Sequence, residues 1–385
     1  MAKQNSIPEV DIMVDEKAGV IREVAPQKKL RSKKGHERRV NTAIYTILIV
    51  MSIVWLCPFV FLVLQSFRSY ATEAGGMVNY LIPKQFSLDN YIFLFDGAVF
   101  DMKLLIKDAA AIAVTVVTNL IGIAGMVLML RRKPKNPLEE VKGNVKGALL
   151  VLGALLLVDF VRCVDSSECD FVQWFLNTLT VAGFCAVIQT IMVLSVSYSL
   201  SRMRFKGRKL IMNVVLVLGM FPGFLTMIVL YYLLKMLGLT QAGAIPGLIL
   251  ISCASSGMGY YISKGFFDTV PKSLDESARI DGANRFQVFL KIIMPMAKPT
   301  VIYTILMAFM GPWGDYVFAS YVAFGHKASY NVAVGLYRWV NTNDYQGFFT
   351  RFCAGGVLVA IPITVLFMAL QKYYVEGVTG GAVKG

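Results

Sequence analysis

The chain has 385 residues, of which 56% are hydrophobic and only 16% charged, whereas soluble proteins carry about 25% charged residues. Several apolar runs reach the roughly 20 residues that a bilayer-spanning helix needs. These features exclude a soluble globular domain and predict an all-α, polytopic membrane protein. The net charge of +14 then indicates membrane orientation rather than nucleic-acid binding, because basic residues in short loops set topology.

The N-terminal segment is basic, and the first apolar run comes directly after it. Residues 1–41 carry ten Lys or Arg, which predicts a disordered cytoplasmic tail whose basic end lies against anionic lipid headgroups. The first span is predicted from about Thr42 to Phe67, with Pro58 inside it, because neighbouring membrane helices can satisfy the carbonyl that a proline frees. A polar outer segment completes this part of the chain, which covers residues 42–97.

Residues 98–170 contain two further apolar runs, 104–130 and 147–164, joined by a basic connector. Two spans return a chain to the side that it left, so this segment is predicted to be an insertion that preserves the topology of the downstream spans. Asp159 and Arg162 in the second run are spaced i, i+3. They could pair on one helix face or extend to the headgroups by snorkelling, and we favour the second interpretation.

The core of the protein is predicted to resume at residue 171 and to extend over residues 171–375. Its second apolar run, about 210–234, is interrupted by Phe221-Pro222-Gly223, and its third, about 244–262, also contains proline and glycine. Broken membrane helices often line transport pathways. Gly and Pro are, however, generally commoner in membrane helices than in soluble ones, so both interpretations stay open.

Within the predicted cytoplasmic loop 263–299, charges recur every few residues from position 268 onward, so residues 268–299 cannot lie in a bilayer. Ser273 and Glu276 form an S-x-x-E capping box, which predicts a helix beginning near Leu274. Gly282 then supplies a C-terminal stop. The first part of this loop is therefore predicted to be a short, capped helix.

A second short helix is predicted to come next in the same loop. Asn284 and Gln287 repeat the capping arrangement, and Pro295 should end or kink this helix. Two capped helices on a membrane surface indicate a docking element for a soluble partner. A plain solvated connector is the alternative, since most charged loops between spans have no other role.

The loop contains the run E-S-A-R-I-D-G-A from position 276, followed by Gln287, Phe289, Ile292, Pro295, Lys298 and Pro299. These residues resemble the EAA loop of the permease subunits of ATP-binding cassette (ABC) importers. The Lys-Pro at its end is similar to the carbohydrate importers of the maltose-transporter type. Ser277 stands where the family usually has alanine, and serine is small enough for the same packing site.

The resemblance implies a type I importer permease with a core of six spans, to which the two inserted spans are added for a total of eight. It implies a sugar or oligosaccharide as the substrate, but it assigns no substrate-binding residues. ATP and Mg would bind two separate ATPase subunits rather than this chain. The other implied partners are a second, non-identical permease, an extracytoplasmic solute-binding protein and membrane lipid.

The resemblance also places contacts with the ATPase subunits on two parts of the chain. The tail 376–385 would reach the ATPase dimer through Gly377, Gly380 and Gly381, where glycine permits conformations that other residues avoid. The loop would contribute the residues Leu274, Glu276, Ser277, Ala278, Asp281, Gly282 and Ala283. Helical spacing predicts that Leu274, Ser277, Ala278 and Asp281 share one side of the first helix, which would enter a cleft on the ATPase.

The distribution of basic residues predicts the orientation. With the N-terminus inside, 29 of the 38 Lys and Arg fall in segments assigned to the inner side, as orientation by positive loops requires. Eight spans with both termini in the cytoplasm are therefore predicted, in the cytoplasmic membrane of a prokaryote.

Several kinds of active site are missing from the sequence. The chain has no Gly-Lys dipeptide, so it contains no G-x-x-x-x-G-K-[ST] phosphate loop and is predicted not to be an enzyme. Only two histidines, His36 and His326, argue against a histidine-cluster metal site. Whether Cys163 and Cys169 are bridged near a membrane face is left open.

Two alternative functions are kept. An ion-coupled secondary transporter would need intramembrane carboxylates, of which Asp315 is the clearest in the core; a structural role for Asp315 is at least as well supported. A membrane-embedded enzyme would need a catalytic constellation within the spans, and the sequence shows none.

Overall fold

The computed structural model describes residues 12–14, 21–23, 27–69, 82–83, 85–96, 98–100, 164–166, 169–254, 256–341 and 348–382, together with isolated positions between 116 and 159. Most of the predicted inserted runs, 104–130 and 147–164, therefore lies outside the described residues. The chain divides into two compact units, Met1–Phe61 and Leu62–Gly385. Helices make up most of the described residues, as predicted.

The helices are numbered in chain order. They are α1 (Gln27–Ser66), α2 (Asp89–Phe95), α3 (Phe171–Arg202), α4 (Arg208–Gly219), α5 (Gly223–Met236), α6 (Ala244–Ala254), α7 (Gly257–Thr269), α8 (Lys272–Ile280), α9 (Arg285–Met296), α10 (Lys298–Gly314), α11 (Val317–Val322), α12 (Val332–Asn341) and α13 (Phe349–Ala382). Short 3-10 turns lie at Gln241–Gly243 and Lys327–Ser329. Strand β1 (Ile12–Val14) pairs with β2 (Ile21–Glu23), and β3 (Ala98–Phe100) pairs with β4 (Val164–Ser166), both antiparallel.

The basic N-terminal segment differs from the prediction. It is not disordered throughout, because α1 begins at Gln27 and carries the run of lysines and arginines as helix. Lys, Arg and Glu are good helix formers, and extending an existing helix costs much less than nucleating a new one. The apolar span therefore supports a helix that begins 15 residues before Thr42, the predicted start of the span.

Among the described residues, four helical segments are long and apolar enough to cross a bilayer: Arg38–Ser66, Phe171–Arg202, Gln241–Thr269 and Phe349–Gln371. Two bent pairs of helices raise the number to six if each pair is one span. Five of these six segments overlap predicted core spans along most of their length. The pair α9–α10 overlaps the predicted span 300–324 only through α10, because α9 lies in the predicted loop 268–299. The total of eight stays a prediction.

The predicted interruption at Phe221-Pro222-Gly223 is confirmed as a sharp corner. Helices α4 and α5 meet there at 103°. Pro222 lacks the N–H that would continue the hydrogen-bond ladder of α4, and its ψ of 118° turns the chain away from the helix axis. The second bent pair, α9 and α10, meets at 85°.

The segment 98–170 leaves the core and returns to it at one place. In the β3–β4 ladder, Ala98 lies opposite Ser166 and Phe100 lies opposite Val164. Farther along, Asn119 Nδ2 donates to Asp159 Oδ2 at 3.0 Å, so a hydrogen bond joins the two predicted inserted runs. Asp159 thus has a partner on the other run, whereas we had favoured a side chain that extends to the lipid headgroups. Arg162, its predicted alternative partner, lies outside the described residues.

A buried asparagine connects the first outer segment to the last span. Asn90, on α2, has no exposed surface, and its Nδ2 donates to the carbonyls of Ser66 and Arg68 at 3.0 and 2.7 Å. Its Oδ1 accepts from Thr350 Oγ1 at 2.9 Å. One amide therefore fixes α2, the chain after α1 and the start of α13, because buried polar groups without partners are costly.

A second asparagine, near the start of α3, also joins segments that are distant in sequence. Asn177 Nδ2 donates to the carbonyls of Ala328 and Tyr330 at 2.7 and 2.9 Å. The next residue, Thr178, accepts from the amide of Val332 through its Oγ1 at 2.8 Å. The chain before α12 is thereby held against α3 by side chains from two successive positions.

The main apolar core lies beside these contacts and is rich in aromatic rings. Trp174 packs against Trp339 with ring centroids 5.3 Å apart, and Phe175 meets Trp313 edge-on at 5.2 Å. A Cβ at Gly335 would lie 1.9 Å from the Trp174 ring, so α12 can approach α3 this closely only because that position has no side chain.

We predict that Asn177→Ala lowers the stability of the protein. The substitution leaves two inward-facing carbonyls without their donor, and an unsatisfied buried polar group costs about 1–3 kcal/mol. Thermal unfolding of the purified protein measures the effect. Asn341→Ala is the matched control, since exposed Asn341 donates to the carbonyl of Tyr337 in its own helix. Equal melting temperatures for the two variants would contradict the proposed contact.

Candidate functional site

Helix α8 begins the loop that the sequence singled out, but its start is not the predicted capping box. The helix starts at Lys272 immediately after Pro271, and no side chain caps it among the described residues. Pro271 fixes an extended entry with φ −58° and ψ 132°. Ser273 consequently lies inside the first turn, where its hydroxyl cannot act as the N-cap toward Glu276, so that prediction is wrong.

The predicted stop at Gly282 is confirmed. Gly282 has φ +84°, and the amide of Ala283 donates to the carbonyl of Ala278 at 2.9 Å while the amide of Gly282 donates to that of Arg279 at 3.0 Å. This pair of bonds is the Schellman motif, which favours glycine because the left-handed conformation strains other residues. The chain therefore reverses sharply after α8.

The second capping box is also confirmed. Asn284 Oδ1 accepts from the amide of Gln287, and Gln287 Oε1 accepts from the amide of Asn284, both at 2.9 Å. Helix α9 continues through a π-helical turn, Phe289–Ile293, and its 85° bend into α10 falls at Ala297, two residues after Pro295. The loop thus consists of two short helices whose geometry is set by local signals.

Arg202, the last residue of α3, holds this loop to the membrane part of the protein. Its Nη1 lies 3.6 Å from Oδ2 of Asp275 on α8, and the two side chains are 3% and 9% exposed. Its Nη2 donates to the carbonyls of Phe267 and Val270 at 2.7 and 2.6 Å, at the negative end of the α7 dipole. A single guanidinium therefore joins α3, α7 and α8.

Two further contacts connect the end of α3 to the loop. Ser201 Oγ donates to Oδ1 of Asp268 at 2.6 Å, and Lys264 forms an ion pair with the same carboxylate. The hydroxyl of Tyr198 lies 3.4 Å from the carbonyl of Arg285, at the start of α9. Three residues of the last turns of α3 thus bind three successive helices.

An apolar cluster fills the space beneath the loop, and Ala278 belongs to it. Ala278 is only 7% exposed, so it does not share an accessible face with Leu274, Ser277 and Asp281 as predicted. Asp275 is also buried on this inward side, where it pairs with Arg202. We call this the loop cluster; its buried members are Leu194, Tyr198, Phe267, Val270, Ala278, Val288, Ile293 and Ala297.

The outward side of the loop carries the accessible predicted residues and two that the sequence analysis missed. Glu276, Ser277 and Asp281 are exposed, as is Leu274 at 36%. Of the other two predicted residues, Gly282 is exposed in the turn and Ala283 packs partly against the loop cluster.

The missed residues are Ile280, which is 86% exposed, and Phe286, which is 67% exposed. They flank the turn at Gly282. Apolar residues on both sides of a capped turn in a charged loop were the signal that could have found them. Two large exposed apolar side chains on either side of one turn form a candidate contact surface for another protein.

The glycines of the C-terminal tail do not lie in an irregular segment. Gly377, Gly380 and Gly381 are part of α13, which continues as helix to Ala382. The expectation that these glycines serve a non-helical backbone path is therefore not met, because the helix of the last span extends without interruption.

Asp315 has a structural role. It lies between α10 and α11, where its Oδ1 accepts from the amide of Phe318 at 3.2 Å. Its carbonyl accepts from Asn331 Nδ2 at 2.6 Å. The carboxylate therefore helps to begin α11 where the span breaks. Cys169 is buried and its thiol is free, whereas Cys163 lies outside the described residues.

We predict that Asp275→Asn destabilises the protein by about 3–5 kcal/mol, because removing one partner leaves the buried charge of Arg202 uncompensated. Denaturant or thermal unfolding of the purified protein measures this. Asp281→Asn is the control at an exposed site near the end of the same helix, and its effect should stay within about 0.5 kcal/mol. A small effect of Asp275→Asn would show that the ion pair does not anchor the loop.

Residues 191–380, which include the whole loop and its anchor, match the family described as "binding-protein-dependent transport system inner membrane component". The chain is 38% identical over 217 residues to the galactooligosaccharides transport system permease protein of Bacillus subtilis, covering 56% of this chain and 75% of that protein. It is 36% identical over 233 residues to the maltodextrin transport system permease protein of the same species, covering 60% and 82%.

A solved structure of a bacterial ABC transporter involved in the import of the acidic polysaccharide alginate is similar in fold. The TM-score is 0.55 at 18% sequence identity, over 88% of this chain and 98% of that chain. These relatives confirm the resemblance to carbohydrate-importer permeases. The protein is a multi-pass component of the cytoplasmic membrane. The chain belongs to the family of inner membrane components of binding-protein-dependent transport systems.

Proposed function

We propose that this chain is a transmembrane subunit of an ATP-driven importer that moves a sugar or oligosaccharide across the cytoplasmic membrane. The relatives named for galactooligosaccharide and maltodextrin transport support this substrate class. The proposal further holds that the loop 268–299 couples the subunit to separate ATPase subunits. The observation that carries it is the exposed apolar pair, Ile280 and Phe286, on a loop whose other side is fixed to α3.

ATP binding and hydrolysis are assigned to other subunits. The chain has no phosphate loop, so ATP and Mg would bind two ATPase subunits at the cytoplasmic face. A second, non-identical permease would complete the pathway, and an extracytoplasmic solute-binding protein would deliver the sugar. Membership of a binding-protein-dependent family supports these partners.

The geometry provides a route for force from the loop into the membrane. Helix α8 cannot move far without displacing Arg202, because Asp275 and the end of α7 are bound to the same guanidinium. Arg202 ends α3, which packs against α6, α7 and α10. Closure of the ATPase subunits on Glu276, Ser277 and Ile280 would therefore rearrange several spans together.

We predict that Ile280→Glu uncouples transport from ATP hydrolysis without unfolding the protein. The exposed side chain contributes nothing to the internal packing, but a carboxylate in an apolar protein contact is left desolvated and unpaired. Sugar uptake and sugar-stimulated ATPase activity of reconstituted complexes should fall about tenfold or more, since central contact residues typically contribute about 2 kcal/mol or more. Lys272→Glu, at the far end of α8, is the control.

Two further variants separate coupling from folding in the same assay. Gly282→Asp strains the left-handed turn at a cost of roughly 1 kcal/mol and should uncouple while leaving the protein inserted. Ala278→Glu places a charge in the loop cluster and should destabilise the chain itself. If Ile280→Glu and Gly282→Asp both bind the ATPase and transport at the normal rate, the loop is a solvated connector.

The helical C-terminus is proposed to contact the ATPase dimer through Gly377, Gly380 and Gly381, where small residues allow close approach on a helix surface. A chain truncated after Tyr374, tested in the same assay, should show altered ATPase activity with an intact membrane part. Unchanged hydrolysis and uptake would remove the tail from the coupling surface.

We propose that residues 98–170 form a peripheral two-span hairpin in an eight-span protein with both termini in the cytoplasm. The β3–β4 ladder and the Asn119–Asp159 hydrogen bond support this arrangement. Reporter fusions near residue 138 should be cytoplasmic and those near residue 167 external. The reverse pattern would overturn the eight-span topology.

The ladder also allows a precise deletion of the hairpin. Because Phe100 lies opposite Val164, an Asn-Gly pair can replace residues 101–163 and close β3 and β4 as a two-residue hairpin. The shortened chain should still assemble with its partner subunits. Complete loss of assembly would show that the inserted segment is part of the structural core.

A further inference from the structure

A cationic groove lies between the start of α4 and the middle of α7, apart from the coupling surface. Its volume is about 530 Å³, and its polar lining is Arg208, Lys209, Asn213, Tyr261 and Lys264. Arg208 and Lys209 also line an adjoining groove with Arg204. The cations come from two separate helices and the connecting loop, so the positive charge converges on one place.

The local electrostatics favour an anion in this groove. Arg208 and Lys209 begin α4, where the helix dipole is itself positive, and the first turn contains no acidic residue. Gly207, the residue before the helix, provides no side chain to cap the first amides. Asp268 pairs with Lys264, but neither Arg208 nor Lys209 forms an ion pair within the part of the chain that the structure describes.

The surface next to the groove is apolar and accessible. Helix α4 has no buried residue, and Leu210, Val214, Val217 and Leu218 are 45–67% exposed along it. A cationic groove at the end of a helix with such a flank matches a phospholipid, which has an anionic headgroup joined to acyl chains. Basic pockets between membrane helices on the cytoplasmic side bind acidic lipid headgroups.

We propose that this groove binds the phosphate of an anionic phospholipid, with the acyl chains lying along α4. The first-turn amides of α4 and the side chains of Arg208, Lys209 and Lys264 would surround the phosphate, and the hydroxyl of Tyr261 could donate to it. The proposal does not depend on the identity of the substrate, so it can be tested whatever the importer carries.

The test uses the assembled, full-length complex in lipid nanodiscs that contain a photoactivatable phosphatidylglycerol or the matching phosphatidylcholine probe. Mass spectrometry then quantifies labelling of the peptides that contain α4 and α7. Arg208→Gln/Lys209→Gln should reduce phosphatidylglycerol labelling by about fivefold for each cation removed. The control, Lys206→Gln/Lys272→Gln, removes two exposed charges that do not line the groove and should change labelling less than about twofold.

Three results would overturn the proposal. Equal labelling by the phosphatidylcholine probe would show that the groove does not select an anionic headgroup. Unchanged labelling of Arg208→Gln/Lys209→Gln would show that these cations do not bind it. Absence of labelling in the assembled complex, with labelling of the isolated chain, would show that a protein subunit covers the groove.

Discussion

The guanidinium of Arg202 is the point on which the position of the loop 268–299 depends. A buried arginine is costly to desolvate, and its attraction to a carboxylate offsets that cost only if its other donors also have partners. Here one carboxylate of α8 and two main-chain carbonyls at the end of α7 lie around it, while its Nε and Nη1 form no hydrogen bond within the described part of the chain. The two hydrogen bonds fix the end of α7 relative to α3, and the ion pair with Asp275 attracts α8 to the same guanidinium.

The opposite end of the helices uses neutral amides for the corresponding purpose. Asn90 and Asn177 each bind groups from segments that are distant in sequence, and both are buried. Each amide presents donors and an acceptor at once, so it can join several chain segments without a charge. The spans between the two sides are held mainly by apolar packing, and the corner between α4 and α5 interrupts one of them. Rigid ends with a broken span between them suit a subunit whose spans must rearrange.

Local signals in the sequence were sufficient for much of the loop and insufficient for its orientation. Gly282 and the Asn284–Gln287 box act through neighbouring residues, so their geometry could be predicted. The box at Ser273 was not formed because Pro271 began the helix earlier. The burial of Ala278 could not be predicted, because the inward side of α8 is set by Arg202, which is far away in sequence.

The pairing of β3 with β4 at the two ends of the segment 98–170 has a consequence for how such proteins diversify. A core that already holds Ala98 beside Ser166 is almost indifferent to the length of chain in between, since each doubling of a flexible loop costs only about 0.6 kcal/mol in closure entropy. Membrane segments can then be gained, lost or exchanged at this position in one genetic step. The transport machinery need not be re-optimised, and a new attachment to the membrane or to another protein can evolve on its own.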